Sequence, residues 1–133
     1  MNKKEEKNNY REHAKAHRDR LDVDDTDFES IIDIFLDEFE PSKDQTISAY
    51  WPKGKEFDVR FLLDELVKQD FICVLPCVEK DSRILNFKKW DHETVMVQRD
   101  FGIMEPEEGE ELRPDIVLAP LLAFDQKGYR LGY

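Results

Sequence analysis

Apolar residues recur at Phe28, Ile31, Ile32, Phe35, Leu36 and Phe39, a spacing of i, i+3, i+4, i+7, i+8 and i+11 that lays one stripe along a helix. Asp24, Asp25, Thr26 and Asp27 supply cap and dipole partners, and Pro41 stops the pattern. The spacing therefore predicts a helix over 24–39 whose stripe packs into a core. Thr46-Ile47-Ser48-Ala49-Tyr50-Trp51 is short and rich in apolar residues before Pro52-Lys53-Gly54, which reads as a strand running into a turn. Val59, Leu62, Leu63, Leu66 and Val67 mark a second helix over about 57–69. Phe71-Ile72-Cys73-Val74-Leu75 is almost continuously apolar, as a strand covered on both faces should be, and Ile116-Val117-Leu118-Ala119 repeats that pattern up to Pro120. Ile84-Leu85-Asn86-Phe87 is a weaker strand of edge type. Strand, helix and strand with short links form a βαβ unit, and two-sided burial implies a parallel sheet. The fold class is α/β.

The remaining segments are polar. Residues 1–20 hold seven Lys/Arg and four acids, and residues 21–40 hold nine acids and no base. The first block reads as a helix with Tyr10, Ala14 and Ala16 its only apolar positions after Met1, and with Lys7, Arg11, Lys15 and Arg18 along about one face. So little apolar surface means that a ligand, a partner or the rest of the domain must hold it. Residues 101–111, acidic and broken by Gly and Pro, read as a surface loop. Residues 125–133 form a basic, glycine-containing turn that suits either a tight hairpin or the first half of a phosphate-binding loop.

With 133 residues the chain is the size of one domain, and 40% hydrophobic residues with nine Phe argue against disorder despite 38% charged residues. A net charge of −11 repels phosphate backbones and anionic leaflets, so neither nucleic acid nor membrane is an expected partner. No run approaches the ~20 apolar residues of a membrane span. The start lacks the apolar core of a signal peptide, and Cys73 and Cys77 form a Cys-x3-Cys pair without a second pair. Buried thiols in a soluble cytoplasmic protein are the expectation.

Strung in order along the chain are motifs that together resemble one family. Pro114-Asp115-Ile116-Val117-Leu118-Ala119-Pro120-Leu121-Leu122-Ala123-Phe124-Asp125, followed by Gly128-Tyr129-Arg130-Leu131-Gly132-Tyr133, resembles the signature of the 5-formyltetrahydrofolate cyclo-ligases. Ala49-Tyr50-Trp51-Pro52-Lys53-Gly54-Lys55-Glu56 resembles that family's first strand and substrate loop, and Phe101-Gly102-Ile103-Met104-Glu105-Pro106 its GIxEP segment. Lys7-Asn8-Asn9-Tyr10-Arg11 resembles its N-terminal helix. The resemblance covers about residues 5–133 and implies one cyclo-ligase-like domain over 1–133. It further implies a three-layer α/β/α, Rossmann-like architecture whose last part is missing, corresponding to the N-terminal two-thirds of the family fold.

The activity it implies is conversion of 5-formyltetrahydrofolate to 5,10-methenyltetrahydrofolate, with ATP consumed to ADP and phosphate and magnesium assisting. Lys7 and Arg11 match positions that contact ATP phosphates, and Arg130, Leu131, Gly132 and Tyr133 match the opening of the nucleotide loop. Trp51 and Glu56 match folate-contacting positions, an aromatic wall for the pterin and a carboxylate for its amino edge. The resemblance places the family's glycine-rich stretch and metal-holding aspartates beyond Tyr133, so no metal ligand and no catalytic residue is assigned here. A complete domain of this kind is expected to be a monomer. Two other readings stand beside it: a non-catalytic folate- or nucleotide-binding remnant that meets a protein partner, or a chain that associates through an open sheet edge. His13 and His17 have metal-type spacing but read as exposed helix histidines, and Asp91-His92-Glu93 reads as a polar loop.

Overall fold

The computed structural model describes residues 2–79, 82–99 and 102–132. The chain divides into two compact units, Met1–Val23 with Pro120–Tyr133, and Asp24–Ala119.

The larger unit begins with a helix, α2, at Asp25–Phe39, which follows helix α1, Lys3–Asp19, of the smaller unit. Asp24 and Asp27 form a reciprocal capping box: the Asp27 N–H donates to Asp24 Oδ1 at 3.0 Å, and the Asp24 N–H donates to Asp27 Oδ2 at 3.1 Å. Glu40 ends the helix in the left-handed region, with Pro41 behind it. Phe35 is buried and Phe28, Ile31, Ile32 and Leu36 are half-buried, as the stripe requires. Phe39, the last member of the stripe, is exposed.

Strand β1 covers Thr46–Ser48, helix α3 Arg60–Lys68 and strand β2 Ile72–Val78. Strands β1 and β2 pair in parallel, so the expected βαβ unit is present. Leu62, Leu63 and Leu66 place one face of α3 in the core with Ile47, Cys73, Leu75 and Trp90. Phe28 meets Phe61 at 4.4 Å and Phe57 at 5.9 Å between ring centroids, which ties α2 to the start of α3. Strand β3, Leu85–Trp90, runs antiparallel to β2 at one edge. Strand β4, Met96–Gln98, pairs with β5, Met104–Pro106, as a separate two-stranded ladder. Strand β6 is Ile116–Val117, and the main sheet has the order β3-β2-β1-β6. It is mainly parallel, and the fold is α/β.

Several sequence expectations are corrected. The strand expected over 46–51 stops at Ser48, with Ala49 still bonded to Val74 of β2 and Tyr50 and Trp51 outside the strand. The segment expected to be buried over 116–119 is only a two-residue strand. Among the described residues it pairs with β1 alone, and Val117 is 55% exposed. The apolar run does not mark a central strand here because β6 is an edge in the described sheet.

Strand β2 passes the expected end at Leu75 and continues through Pro76. The Val74 carbonyl accepts the Ala49 N–H, so the even-numbered residues of β2 turn their backbone groups toward β1. Pro76 is one of these and lies beyond the end of β1, where its missing N–H breaks no described ladder bond. The next such group, the Val78 N–H, donates instead to Glu105 Oε2 at 3.1 Å. The acidic stretch over 101–111 is thus not all surface loop: Glu105 and Pro106 are buried in β5, and Arg99 Nε lies 3.4 Å from Glu105 Oε1. Phe101 of the same segment lies outside the described residues.

The smaller unit contains α1, Lys3–Asp19, and a hairpin of β7, Ala123–Phe124, with β8, Arg130–Leu131. Asn2 and Glu5 cap α1 reciprocally, and no residue of the helix is fully buried. No helix of the described residues is long and apolar enough to cross a membrane.

Candidate functional site

In the larger unit, the chain leaves β1 at its carboxyl end, where ligands of parallel sheets gather. The Tyr50 hydroxyl donates to the Phe57 carbonyl at 2.8 Å and closes the excursion of the loop. Gly54, at φ +60°, takes the left-handed turn within it. Glu56 folds back on this turn: its Oε1 accepts the Lys53 N–H at 2.9 Å, and its own N–H donates to the Lys53 carbonyl at 3.2 Å. The carboxylate is half-buried and held at a fixed place on the loop.

Trp51 is half-buried and packs against the core edge. Its ring lies 6.2 Å from that of Trp90, tilted by 57°, and the Arg60 guanidinium carbon lies 5.4 Å over it. Arg60 is held in turn by Asp58, with Nε to Oδ1 at 2.8 Å and Nη2 to Oδ2 at 2.6 Å. Asp58 Oδ1 also accepts the Arg60 backbone N–H at 3.0 Å, filling the capping role that Val59 lacks a side chain to fill. Hydrogen bonding from Arg60 holds the Asp58 carboxyl below its ordinary range against the opposing effect of burial, and the same pair raises Arg60. Trp90 meets the His92 ring at 5.6 Å, and His92 Nε2 lies 3.0 Å from Asp64 Oδ1. The Asp91-His92-Glu93 segment is the expected polar turn, with this one added link to α3.

The other candidates lie in the smaller unit. Arg11 donates from Nε to the Gly132 carbonyl at 3.1 Å and from Nη1 to Asn8 Oδ1 at 3.0 Å. One turn earlier, Lys7 is exposed on the same side of α1. Of residues 125–133, those through Leu131 lie in a hairpin. Asp125 Oδ1 accepts the Lys127 and Tyr129 N–H groups at 2.9 and 3.0 Å, and Gly128 turns at φ +85°. Arg130 donates from Nη1 to the Pro120 carbonyl at 3.2 Å. An open cleft of about 790 Å³ runs between α1 and the hairpin, with His13, His17, Leu131 and Arg130 in its walls. Tyr133 lies outside the described residues.

The structure thus brings Arg11 onto Gly132 within one unit, and Trp51 and Glu56 onto one loop of the other. Sequence reading missed Arg60, Asp58 and Trp90 around Trp51. Only the Asp-x-Arg spacing at a helix start hinted at the fork, and nothing local announces that Trp90 meets a residue 39 positions away. Among the described residues no group of three or more His, Cys, Asp or Glu side chains could hold a metal ion. Cys73 and Cys77 are both free thiols and buried. Burial pushes Cys73 up to about 12 and also raises Cys77, the latter with help from the charge of Glu105.

Comparison with known proteins gives a consistent result. The 5-formyltetrahydrofolate cyclo-ligase family matches residues 3–133. A 5-formyltetrahydrofolate cyclo-ligase of Haemophilus influenzae is 31% identical over 110 residues, with 78% of this chain and 59% of that protein covered. The structure of Aquifex aeolicus 5,10-methenyltetrahydrofolate synthetase aligns with a TM-score of 0.76 at 28% identity, covering 96% of this chain and 66% of that one. A 5,10-methenyltetrahydrofolate synthetase from Mycoplasma pneumoniae shares the fold, with a TM-score of 0.62 at 22% identity over 96% of this chain and 71% of that one. The chain therefore spans less than two-thirds of the length of the first two relatives.

Proposed function

Because the chain belongs to the 5-formyltetrahydrofolate cyclo-ligase family, we propose that it serves the ATP-dependent closure of 5-formyltetrahydrofolate to 5,10-methenyltetrahydrofolate. In this reaction the formyl oxygen takes the terminal phosphoryl group and ADP leaves. The neighbouring folate nitrogen then attacks the activated carbon, loses its proton, and expels phosphate as the ring closes. The demand on the protein is positioning, together with cations for the charge on phosphate oxygens.

The observation that carries the nucleotide half is the bond from Arg11 to the Gly132 carbonyl. It fastens a cation of α1 to the backbone of the segment that resembles the nucleotide loop. Lys7, Arg11 and Arg130 supply positive charge in that unit, while Leu131 and Gly132 supply backbone to the loop. In the other unit Trp51 offers its ring to the flat pterin, and Glu56 offers carboxylate lone pairs to the amino edge. Magnesium would arrive with the nucleotide and neutralise phosphate charge. No step is assigned to it, since the described acids form no cluster for it.

The test is absorbance at the methenyl-folate band with the purified chain, 5-formyltetrahydrofolate, ATP and magnesium. The proposal expects the band to grow only when all three are present. Lys7→Ala and Arg11→Ala should each raise the KM for ATP by roughly tenfold or more, the scale of a lost hydrogen bond to a charged group. Folate and ATP binding without any band would favour the non-catalytic binding module. Absence of both binding and turnover would sink the proposal.

A further inference from the structure

We propose that Arg60 is a positioning residue that sets the orientation of Trp51 for a flat bicyclic ligand; this rests on the reading of Trp51 as the folate wall. Three observations carry it. The guanidinium lies 5.4 Å over the Trp51 ring, within the range at which a cation is attracted to an indole face. It is not a wandering surface arginine: Asp58 grips Nε and Nη2 in a two-pronged fork, and the same Asp58 fixes the backbone N–H at the first residue of α3. Trp90, itself 6% exposed and part of the core, meets the same indole from β3 at 6.2 Å.

Trp51 follows β1 by three residues and belongs to no described helix or strand. An indole there would sample several rotamers unless neighbours held it. Trp90 supplies the core-anchored contact, and Arg60 supplies the contact from the start of α3. A ring fixed beforehand stacks a ligand without first losing side-chain freedom, so the arrangement favours affinity by pre-organisation. The planar fork matters as well as the charge, because lysine can neither lie flat on the ring nor engage Asp58 with two parallel bonds.

The experiment labels the 133-residue chain with 5-fluorotryptophan, giving one fluorine resonance from Trp51 and one from Trp90. The Trp51→Phe variant assigns them. Titration with 5-formyltetrahydrofolate is then followed in wild type, Trp51→Ala, Arg60→Ala and Arg60→Lys, with thermal unfolding of each. The inference expects Arg60→Ala to shift or broaden the Trp51 resonance, leave that of Trp90 in place, and weaken folate binding about threefold, the scale of an exposed cation–aromatic contact. Arg60→Lys should fail to restore either property, although it keeps the charge. If Trp51→Ala loses folate affinity while Arg60→Ala changes neither resonance nor affinity, the positioning role is overturned and the folate reading stands. A shifted resonance with unchanged affinity overturns it equally, and so does full rescue by lysine. If Trp51→Ala binds folate as wild type does, or wild type binds none, the folate reading of Trp51 fails and the inference falls with it.

Discussion

The two units distribute their chemistry in opposite ways. Every fully buried hydrophobic residue among those described lies in Asp24–Ala119, whereas α1 of the smaller unit buries none. The smaller unit carries the candidate phosphate cations Lys7, Arg11 and Arg130, and its apolar side chains Tyr10, Phe124 and Tyr129 remain largely exposed. The larger unit derives its stability from leucines on α3 and the strands beneath them, and it presents its candidate ligand residues on a loop at the edge of that core. Stability and charge recognition are thus concentrated in different stretches of chain. Substitutions in the core of the larger unit should register mainly in unfolding, and substitutions of the smaller unit's cations mainly in nucleotide binding.

The largest effect should come from the core. Leu63 is completely buried, so Leu63→Ala should lose about 2–5 kcal/mol in urea unfolding through lost burial and the cavity left behind. Tyr10→Ala, on α1 at a side chain that is 59% exposed, should change the same stability by no more than roughly 0.5 kcal/mol. Equal losses would erase the contrast between the units.

Alkaline pH gives the next largest effect, again from the larger unit. The Cys73 thiol has an ordinary pKa of 9.0 and is pushed by burial to about 12. Below pH 9 both folded and unfolded chains keep the proton, and this group leaves stability flat. Between 9 and 12 the unfolded chain ionises while the folded one does not, so stability falls as pH rises, by at most about 1.4 kcal/mol per pH unit. Urea titrations at stepped pH should show that slope, and Cys73→Ala should flatten it. A slope unchanged in the variant would assign the alkaline loss to other groups.

Helix caps compare the units at like chemistry, since α1 and α2 both begin with a reciprocal box. Asp24→Ala should lower global stability by about 1 kcal/mol. Asn2→Ala removes the same type of bond but should show only as faster hydrogen exchange in the first turn of α1, with the global midpoint unmoved. A matching drop in both variants would mean that α1 unfolds together with the core.

The smallest effect belongs to the fork beside Trp51. Asp58 is held below its ordinary 3.8 by the bonds from Arg60. Its stabilisation is therefore complete above that pH and lost as pH falls through the lower folded value. An ion pair exposed to this degree is worth about 0.2–1 kcal/mol after screening. Asp58→Asn should shallow the acid limb of the stability curve slightly, and an unaltered limb would remove Asp58 from the account of acid stability.

Legibility in the sequence followed how local the cause was. The α2 helix could be read because its stripe, box and terminating proline all lie within one short stretch, and the βαβ unit because β2 is apolar throughout its first half. Strand β6 misled: Ile116-Val117-Leu118-Ala119 has central-strand composition, yet an edge position leaves Val117 exposed. The β4–β5 hairpin escaped because three-residue strands such as Met96–Gln98 carry too few residues for a period to show. Glu105 sat in an acidic stretch whose average character hid its one buried carboxylate, which serves a backbone group 27 residues away. In the candidate sites, Trp51, Glu56, Lys7 and Arg11 are candidates through motif resemblance alone. The partners that hold Trp51 come from β3 and α3, and contact of that kind is a property of the folded chain alone.

Titration calorimetry of the 133-residue chain with magnesium-ATP and, separately, with 5-formyltetrahydrofolate tests the central claim most directly when wild type is compared with Arg11→Ala and Trp51→Ala. The account predicts a crossed result: Arg11→Ala weakens nucleotide binding and leaves folate binding intact, while Trp51→Ala does the reverse. Wild type that binds neither ligand, or two variants that lose both ligands alike, would contradict it.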